Sequence, residues 1–179
     1  LKASNYFASG VYYFEDIGEF KVPNNTTLVG GAPSTGESAL LATPCATDAN
    51  ANPPASANGT GVLFIFGGNS WMSVGNNTFV ELFSRPGGNQ PASMYAPATT
   101  QNGFKKWESS GGGCSESPTN SSCLLRLSSA GAGFTSHGLI YAPTAPVSLF
   151  SSNGTVACTL GGLVAYDVIL QSSNPGATG

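Results

Sequence analysis

The stretch that decides the fold reads GVLFIFGG and occupies Gly61–Gly68. Its five central residues are all apolar, two of them aromatic and two β-branched, and glycines close both ends. A short apolar run bounded by turn formers is typical of a β-strand. Because it is apolar at every position, without polar residues in alternation, it predicts a strand covered on both faces, as in a parallel sheet.

Similar runs recur along the chain, and no comparable stretch has a helical period. They read GVYYF (10–14), TLVGG (27–31), TFVELF (78–83), GLIY (138–141), VSLF (147–150) and GLVAYDVIL (162–170). Short runs at eight- or nine-residue intervals in the first and last thirds predict an all-β fold, either a parallel β-helix or a β-sandwich. Few Asn-Gly turns join paired runs, which favours the parallel β-helix. Asn58-Gly59 and Asn153-Gly154 keep a β-sandwich or jelly roll as the alternative.

The 179 residues fit one domain with a sizeable core. We expect a single all-β domain over residues 1–170, with loop insertions at about 32–59 and 85–122. These stretches are polar and rich in Gly, Pro and Ser. Residues 171–179 are expected to form a polar tail.

Charged residues make up 8% of the chain, against roughly 25% in an ordinary soluble domain. A neutral polar surface repels neighbouring copies weakly and suits a secreted or self-associating protein. The net charge is −3 and the basic residues cluster only at Lys105-Lys106, which argues against nucleic-acid binding. No run of 18 apolar residues occurs, so no membrane span is expected in this chain.

The four cysteines are Cys45, Cys114, Cys123 and Cys158, with no Cys-x-x-Cys pair and a single histidine. This spacing does not fit a zinc site of the usual kind. An even count in a chain of low charge favours two disulfides formed in an oxidising compartment. Cys114 and Cys123 end one Gly/Ser/Pro-rich loop and are expected to pair, which leaves Cys45 with Cys158 and pins the long loops.

Several of these runs together resemble a known family. GVYYF at 10–14, LVGG at 28–31 and TGVLFIFGG at 60–68, followed by GLIYAP at 138–143, VSL at 147–149 and GGLVAYDVIL at 161–170, are similar to bacterial envelope proteins associated with Tad-type pilus assembly. The similarity spans about residues 9–83 and 138–170. It implies a right-handed parallel β-helix exposed outside the cell, often behind an N-terminal anchor, and it implies no catalytic residue.

The polar residues indicate no enzyme and no cofactor or metal site. Glu15, Asp16 and Glu19 form an acidic cluster, but their spacing matches no calcium loop. Glu81 and Asp167 lie inside apolar runs and are expected to face outward by alternation. His137 has no recognisable nucleophile arrangement around it and is expected to be structural.

Aromatic side chains in or beside the loops are candidates for contact with a partner or a glycan: Trp71, Tyr95, Phe104 and Trp107. Six Asn-x-Ser/Thr sequons mark surface positions for glycosylation: Asn24, Asn25, Asn58, Asn76, Asn120 and Asn153.

The sequence therefore predicts a non-enzymatic extracellular or cell-surface protein, structural or adhesive, that self-assembles or joins a pilus or envelope filament. Its expected partner is another copy of itself, with an envelope polysaccharide as a further partner. The segment 1–7 is a candidate for a strand donated to a neighbour, or else the first strand of its own subunit. A carbohydrate-binding or carbohydrate-active β-helix module is the alternative function.

Overall fold

The computed structural model describes residues 4–32, 61–84, 92–97, 116–117, 120–121, 123–127, 130–151, 156–159 and 161–172. Within these ranges the chain contains β-strands and no helix. Consequently the described residues include no helix long and apolar enough to cross a membrane.

The strands form three sheets of five. Sheet 1 contains β1 (Ser4–Phe7), β4 (Thr27–Gly30), β7 (Phe79–Leu82), β12 (Gly133–Ser136) and β15 (Val156–Thr159). Sheet 2 contains β2 (Gly10–Glu15), β5 (Val62–Gly67), β8 (Ala92–Tyr95), β13 (Leu139–Ala142) and β16 (Leu163–Ala165). Sheet 3 contains β3 (Glu19–Val22), β6 (Trp71–Val74), β11 (Leu125–Leu127), β14 (Val147–Ser151) and β17 (Val168–Ser172). A small antiparallel pair, β9 (Glu116–Ser117) and β10 (Asn120–Ser121), lies between β8 and β11 in sequence.

The chain visits the three sheets in the same order five times, and every strand pair within them is parallel. This is the arrangement of a parallel β-helix, and we call each set of three successive strands a coil. The predicted all-β, parallel architecture is confirmed, and the β-sandwich alternative is wrong because its sheets would be antiparallel. The right-handedness of the coil is implied by the family resemblance and stays a prediction.

The coils differ in length because segments are inserted into the middle of the molecule. From Ser4 to its partner Thr27 the chain takes 23 residues, and from Gly133 to Val156 it again takes 23. The step from Thr27 to Phe79 takes 52 residues. The extra residues fall between β4 and β5, between β7 and β8, and between β8 and β11.

Inward-facing side chains form columns along the axis, one residue from each coil. One column runs Tyr12, Phe64, Met94, Ile140, Leu163, and another runs Phe20, Met72, Leu125, Val147, Val168. The second, third and fourth members of both columns are buried. Both columns begin with an aromatic ring in the first coil and end with Leu or Val in the last. In these two columns the N-terminal end is therefore aromatic and the C-terminal end aliphatic, whereas elsewhere in the core a buried ring, Phe134, lies in the fourth coil.

Two corners of the coil are held by polar side chains that bond to the next coil. Asn25 and Asn77 both take positive φ, 56° and 49°, and Asn77 Nδ2 donates to Asn25 Oδ1 at 3.5 Å. Asparagine tolerates this left-handed conformation better than most residues. At another corner Asp16, with φ 49°, accepts a hydrogen bond from the Asn69 backbone N–H at 2.9 Å. These turns let a short strand end and the next sheet begin.

The structure corrects several strand predictions. The run 162–170 is two strands, β16 and β17, separated by a corner at which Asp167 Oδ1 accepts the Val168 N–H at 2.7 Å. β8 lies inside the stretch 85–122 that the sequence indicated as an insertion, and β17 extends two residues into the expected tail. Ser4–Phe7 is the first strand of its own coil and pairs with β4.

Candidate functional site

The two end coils form the candidate site because their outer edges are open. β1, β2 and β3 each lie at one end of a sheet, and β15, β16 and β17 lie at the other end. Among the described residues, none pairs with these six strands on their outer side. Each outer edge presents backbone N–H and C=O groups that can pair with an added strand.

The C-terminal end exposes residues that belong to the core by register. Leu170 continues the column Val22, Val74, Leu127, Leu149, and its side chain is 73% exposed. Val168 continues the column of Phe20 and is 38% exposed. Their counterparts one or two coils back are buried or half-buried. An apolar core surface of this kind usually marks an interface.

The N-terminal end carries a cluster of aromatic rings. Phe7 contacts Tyr12 edge-on with ring centroids 4.9 Å apart, and Phe14 lies 4.8 Å from Phe20. All four rings are half-buried and pack against Phe64 of the next coil. Edge-to-face pairs of this kind hold one another in place, so this end is a firm apolar surface.

Carboxylates lie at the same corner of the coil at both ends. Glu15 ends β2 and Asp16 follows it in the first coil, and Asp167 lies between β16 and β17 in the last. Each acid of the first coil has its own neighbour: Tyr13 bonds to Glu15, Asn69 to Asp16, and Ser73 Oγ to Glu19 Oε1 at 2.6 Å. Among the described residues no three His, Cys, Asp or Glu side chains are grouped as metal ligands.

A buried polar pair lies on the outer side of sheet 1. Glu81 faces away from the core, as its alternation with Val80 and Leu82 predicts, yet it is buried. Its Oε1 lies 2.8 Å from His137 Nε2, and the imidazole stacks on Phe83 with centroids 4.4 Å apart. His137 Nδ1 is buried without a hydrogen-bond partner. The sequence missed this pair because 56 residues separate its members.

The proposed contact aromatics have different environments. Trp71 is only 3% exposed although its register beside inward-facing Met72 places it on the outer side of β6, so it presents almost no surface to a partner or glycan. Tyr95 is half-buried on the outer face of sheet 2 and stacks against Tyr141, with centroids 5.9 Å apart and planes 22° apart. Phe104 and Trp107 lie outside the described residues.

Three of the sequon asparagines are exposed in the described corners: Asn24, Asn25 and Asn76. Asn24 Oδ1 accepts the backbone N–H of Asn76 at 2.9 Å, so this side chain also joins two coils. Asn120 lies in β10, and Asn58 and Asn153 lie outside the described residues.

The two described cysteines, Cys123 and Cys158, are buried and disulfide-bonded. Cys45 and Cys114 lie outside the described residues, so the expected pairing of Cys114 with Cys123 and of Cys45 with Cys158 stays a prediction.

Comparison of the chain with protein-family models, with curated proteins and with solved structures finds no match. The candidate function rests on the open ends of the coil.

Proposed function

We propose that this protein is a non-enzymatic structural component that assembles outside the cell by stacking its coil end to end. The exposure of Leu170, in a column whose nearest members are buried or half-buried, carries the proposal. A neighbouring copy placed on this end would add a strand to each sheet, β1 on β15, β2 on β16 and β3 on β17. Strand addition satisfies backbone groups that otherwise bond to water.

The N-terminal end of one copy is more complementary to the C-terminal end of another copy than either end is to a second end of the same type. Continued register brings Leu163 against Tyr12, Ala165 against Phe14 and Val168 against Phe20 of the next copy. Small residues then meet large ones, which fills space, whereas two aliphatic ends would leave gaps and two aromatic ends would crowd. An end-to-end contact between different surfaces does not close on itself and generates a filament.

The charges at the joining corner make the end-to-end contact depend on ionic strength. In the stacked arrangement Asp167 of one copy lies at the corner that holds Glu15 and Asp16 of the next. Like charges there oppose association, and salt screens them because the Debye length falls to about 10 Å at 0.1 M. Assembly is therefore expected to strengthen as ionic strength rises.

Three observations support an extracellular, non-catalytic role. Disulfide-bonded Cys123 and Cys158 are typical of an oxidising compartment. Glu81 and His137, the buried acid and imidazole in contact, are too enclosed to meet a substrate. The likeness of the Gly-rich runs to pilus-associated envelope proteins is in keeping with a surface filament.

The experiment is a concentration series of the wild-type protein by size-exclusion chromatography and negative-stain microscopy. Filaments are expected, and Leu170→Asp is expected to abolish them because it places a charge in the stacking surface. Thr27→Asp, on the outer face of sheet 1, is the matched control and should assemble normally. Circular dichroism verifies that both variants fold. A wild-type protein that stays monomeric at high concentration and high salt contradicts the proposal, as does normal assembly of Leu170→Asp.

A further inference from the structure

The outer face of sheet 2 carries an apolar row that no charge interrupts. We call it the tyrosine face and define it by the aligned residues Tyr13, Ile65, Tyr95, Tyr141 and Val164, one from each coil. Val11 and Leu63 extend it on one side. Tyr13 is 60% exposed and Tyr141 37%, and Val11 and Val164 are also exposed. Outward positions of a solvated sheet are normally polar.

The corresponding row on sheet 3 has a different composition. It runs Lys21, Ser73, Arg126, Ser148, Ile169 and contains two cations. Charged side chains on a sheet prevent it from packing against another sheet. On sheet 2 the outer face has one carboxylate, Glu15 at the end of β2, which bonds to Tyr13, and the aligned row itself has no charge. The tyrosine face is therefore better suited to a partner than the outer face of sheet 3.

The arrangement of the rings at the centre of the tyrosine face indicates which kind of partner fits there. The Tyr95 and Tyr141 rings stack against each other along the coil axis, 5.9 Å apart. Each ring covers one flat face of the other, which reduces the aromatic surface on which a sugar ring could pack. A row of aromatic and aliphatic side chains at strand spacing instead matches the side chains of another β-sheet.

Area decides when such a contact can form. Five strands spaced by about 4.8 Å, each four to five residues wide, give a face of roughly 300 Å². A stable pair of proteins buries about 800 Å² on each partner. One tyrosine face is too small to hold two monomers together.

End-to-end stacking removes this limit. In continued register Val164 of one copy is followed by Tyr13 of the next, so the row runs unbroken along a filament. Each added copy adds contact area without a further loss of rotational freedom, which strengthens the contact by multivalency. We infer that the tyrosine face is the lateral contact between two filaments of this chain, an inference that rests on the proposed end-to-end assembly.

The test compares Tyr95→Lys and Tyr141→Lys, both on interior strands of sheet 2, with Thr27→Lys, which adds the same charge to the outer face of sheet 1. Filaments and bundles are counted by negative-stain microscopy, and bundles are collected by low-speed sedimentation. The two sheet 2 variants are expected to form single filaments and to lose bundling, while Thr27→Lys and wild type form bundles.

Each other outcome has a distinct meaning. Bundles that persist in both sheet 2 variants overturn the lateral contact and leave end-to-end assembly standing. A wild type without filaments overturns the end-to-end proposal, and the lateral contact falls with it because one face is too small. Binding of a soluble polysaccharide by wild type that Tyr141→Lys abolishes assigns the face to glycans and also overturns the inference.

Discussion

Replacing Phe64 by Ala tests whether the aromatic end is the firmest part of the core. Phe64 is fully buried, and its ring lies 5.1 to 6.5 Å from five others: Phe7, Tyr12, Phe14, Phe20 and Phe66. Phe-to-Ala changes in cores cost about 3–5 kcal/mol, and aromatic pairs add about 0.5–1.5 kcal/mol each beyond area. Because the change removes contacts with five rings, we expect a loss of about 5 kcal/mol, at the upper end.

Ile65→Ala is the matched control for this change. Ile65 is the next residue on β5, but it faces outward and is half-buried. Its truncation is expected to cost about 1–2 kcal/mol because part of the side chain is already in water. Urea unfolding followed by circular dichroism measures both. A loss below about 1 kcal/mol for Phe64→Ala, or equal losses for the two variants, would refute the assigned register of β5.

Three further predictions concern polar and covalent groups. His137→Ala is expected to cost about 3–5 kcal/mol in urea unfolding because it removes the imidazole from buried Glu81, whereas Glu81→Gln, which keeps the shape, should cost less. The hydrogen bond to Glu15 raises the pKa of Tyr13 above its usual 10.0, so any stability it contributes is lost only as pH rises through that raised value. Ultraviolet titration of Glu15→Ala should find one tyrosine ionising at lower pH, and an unchanged curve would exclude the bond. Peptide mapping without reduction should recover Cys114 joined to Cys123 and Cys45 to Cys158, and recovery of either other pairing would contradict it.

Local sequence patterns predicted the strands that are apolar and bounded by glycine. β5 is bounded by glycines and was predicted from its composition. The expected cover on both faces is only partly observed, because Val62, Phe64 and Phe66 are buried whereas Leu63 and Ile65 on the outer face are half-buried. β6, with the sequence WMSV, lacks a closing glycine on its N-terminal side and was not predicted. The corner at Asp167 was missed because an apolar run continues on both sides of it.

The candidate site could not be predicted from the sequence because it depends on strand register, and local sequence patterns do not specify the register. Leu170 reads as an ordinary strand residue, and its exposure becomes meaningful only when it is aligned with Leu149, Leu127 and Val74. That alignment requires knowing how much chain is inserted between successive coils. The 23-residue step of the first and last coils is present in the sequence, but the 52-residue step between Thr27 and Phe79 conceals it.

The inserted segments all connect strands of the second and third coils, and the first and last coils stay short. If five coils of about 4.8 Å stack on five more, the points where each inserted segment joins the coil recur at about 24 Å along the axis. The filament would then act as a ruler for these attachment points. Changes of sequence or length within the segments would leave the spacing unaltered, because the spacing is set by the backbone of the coils.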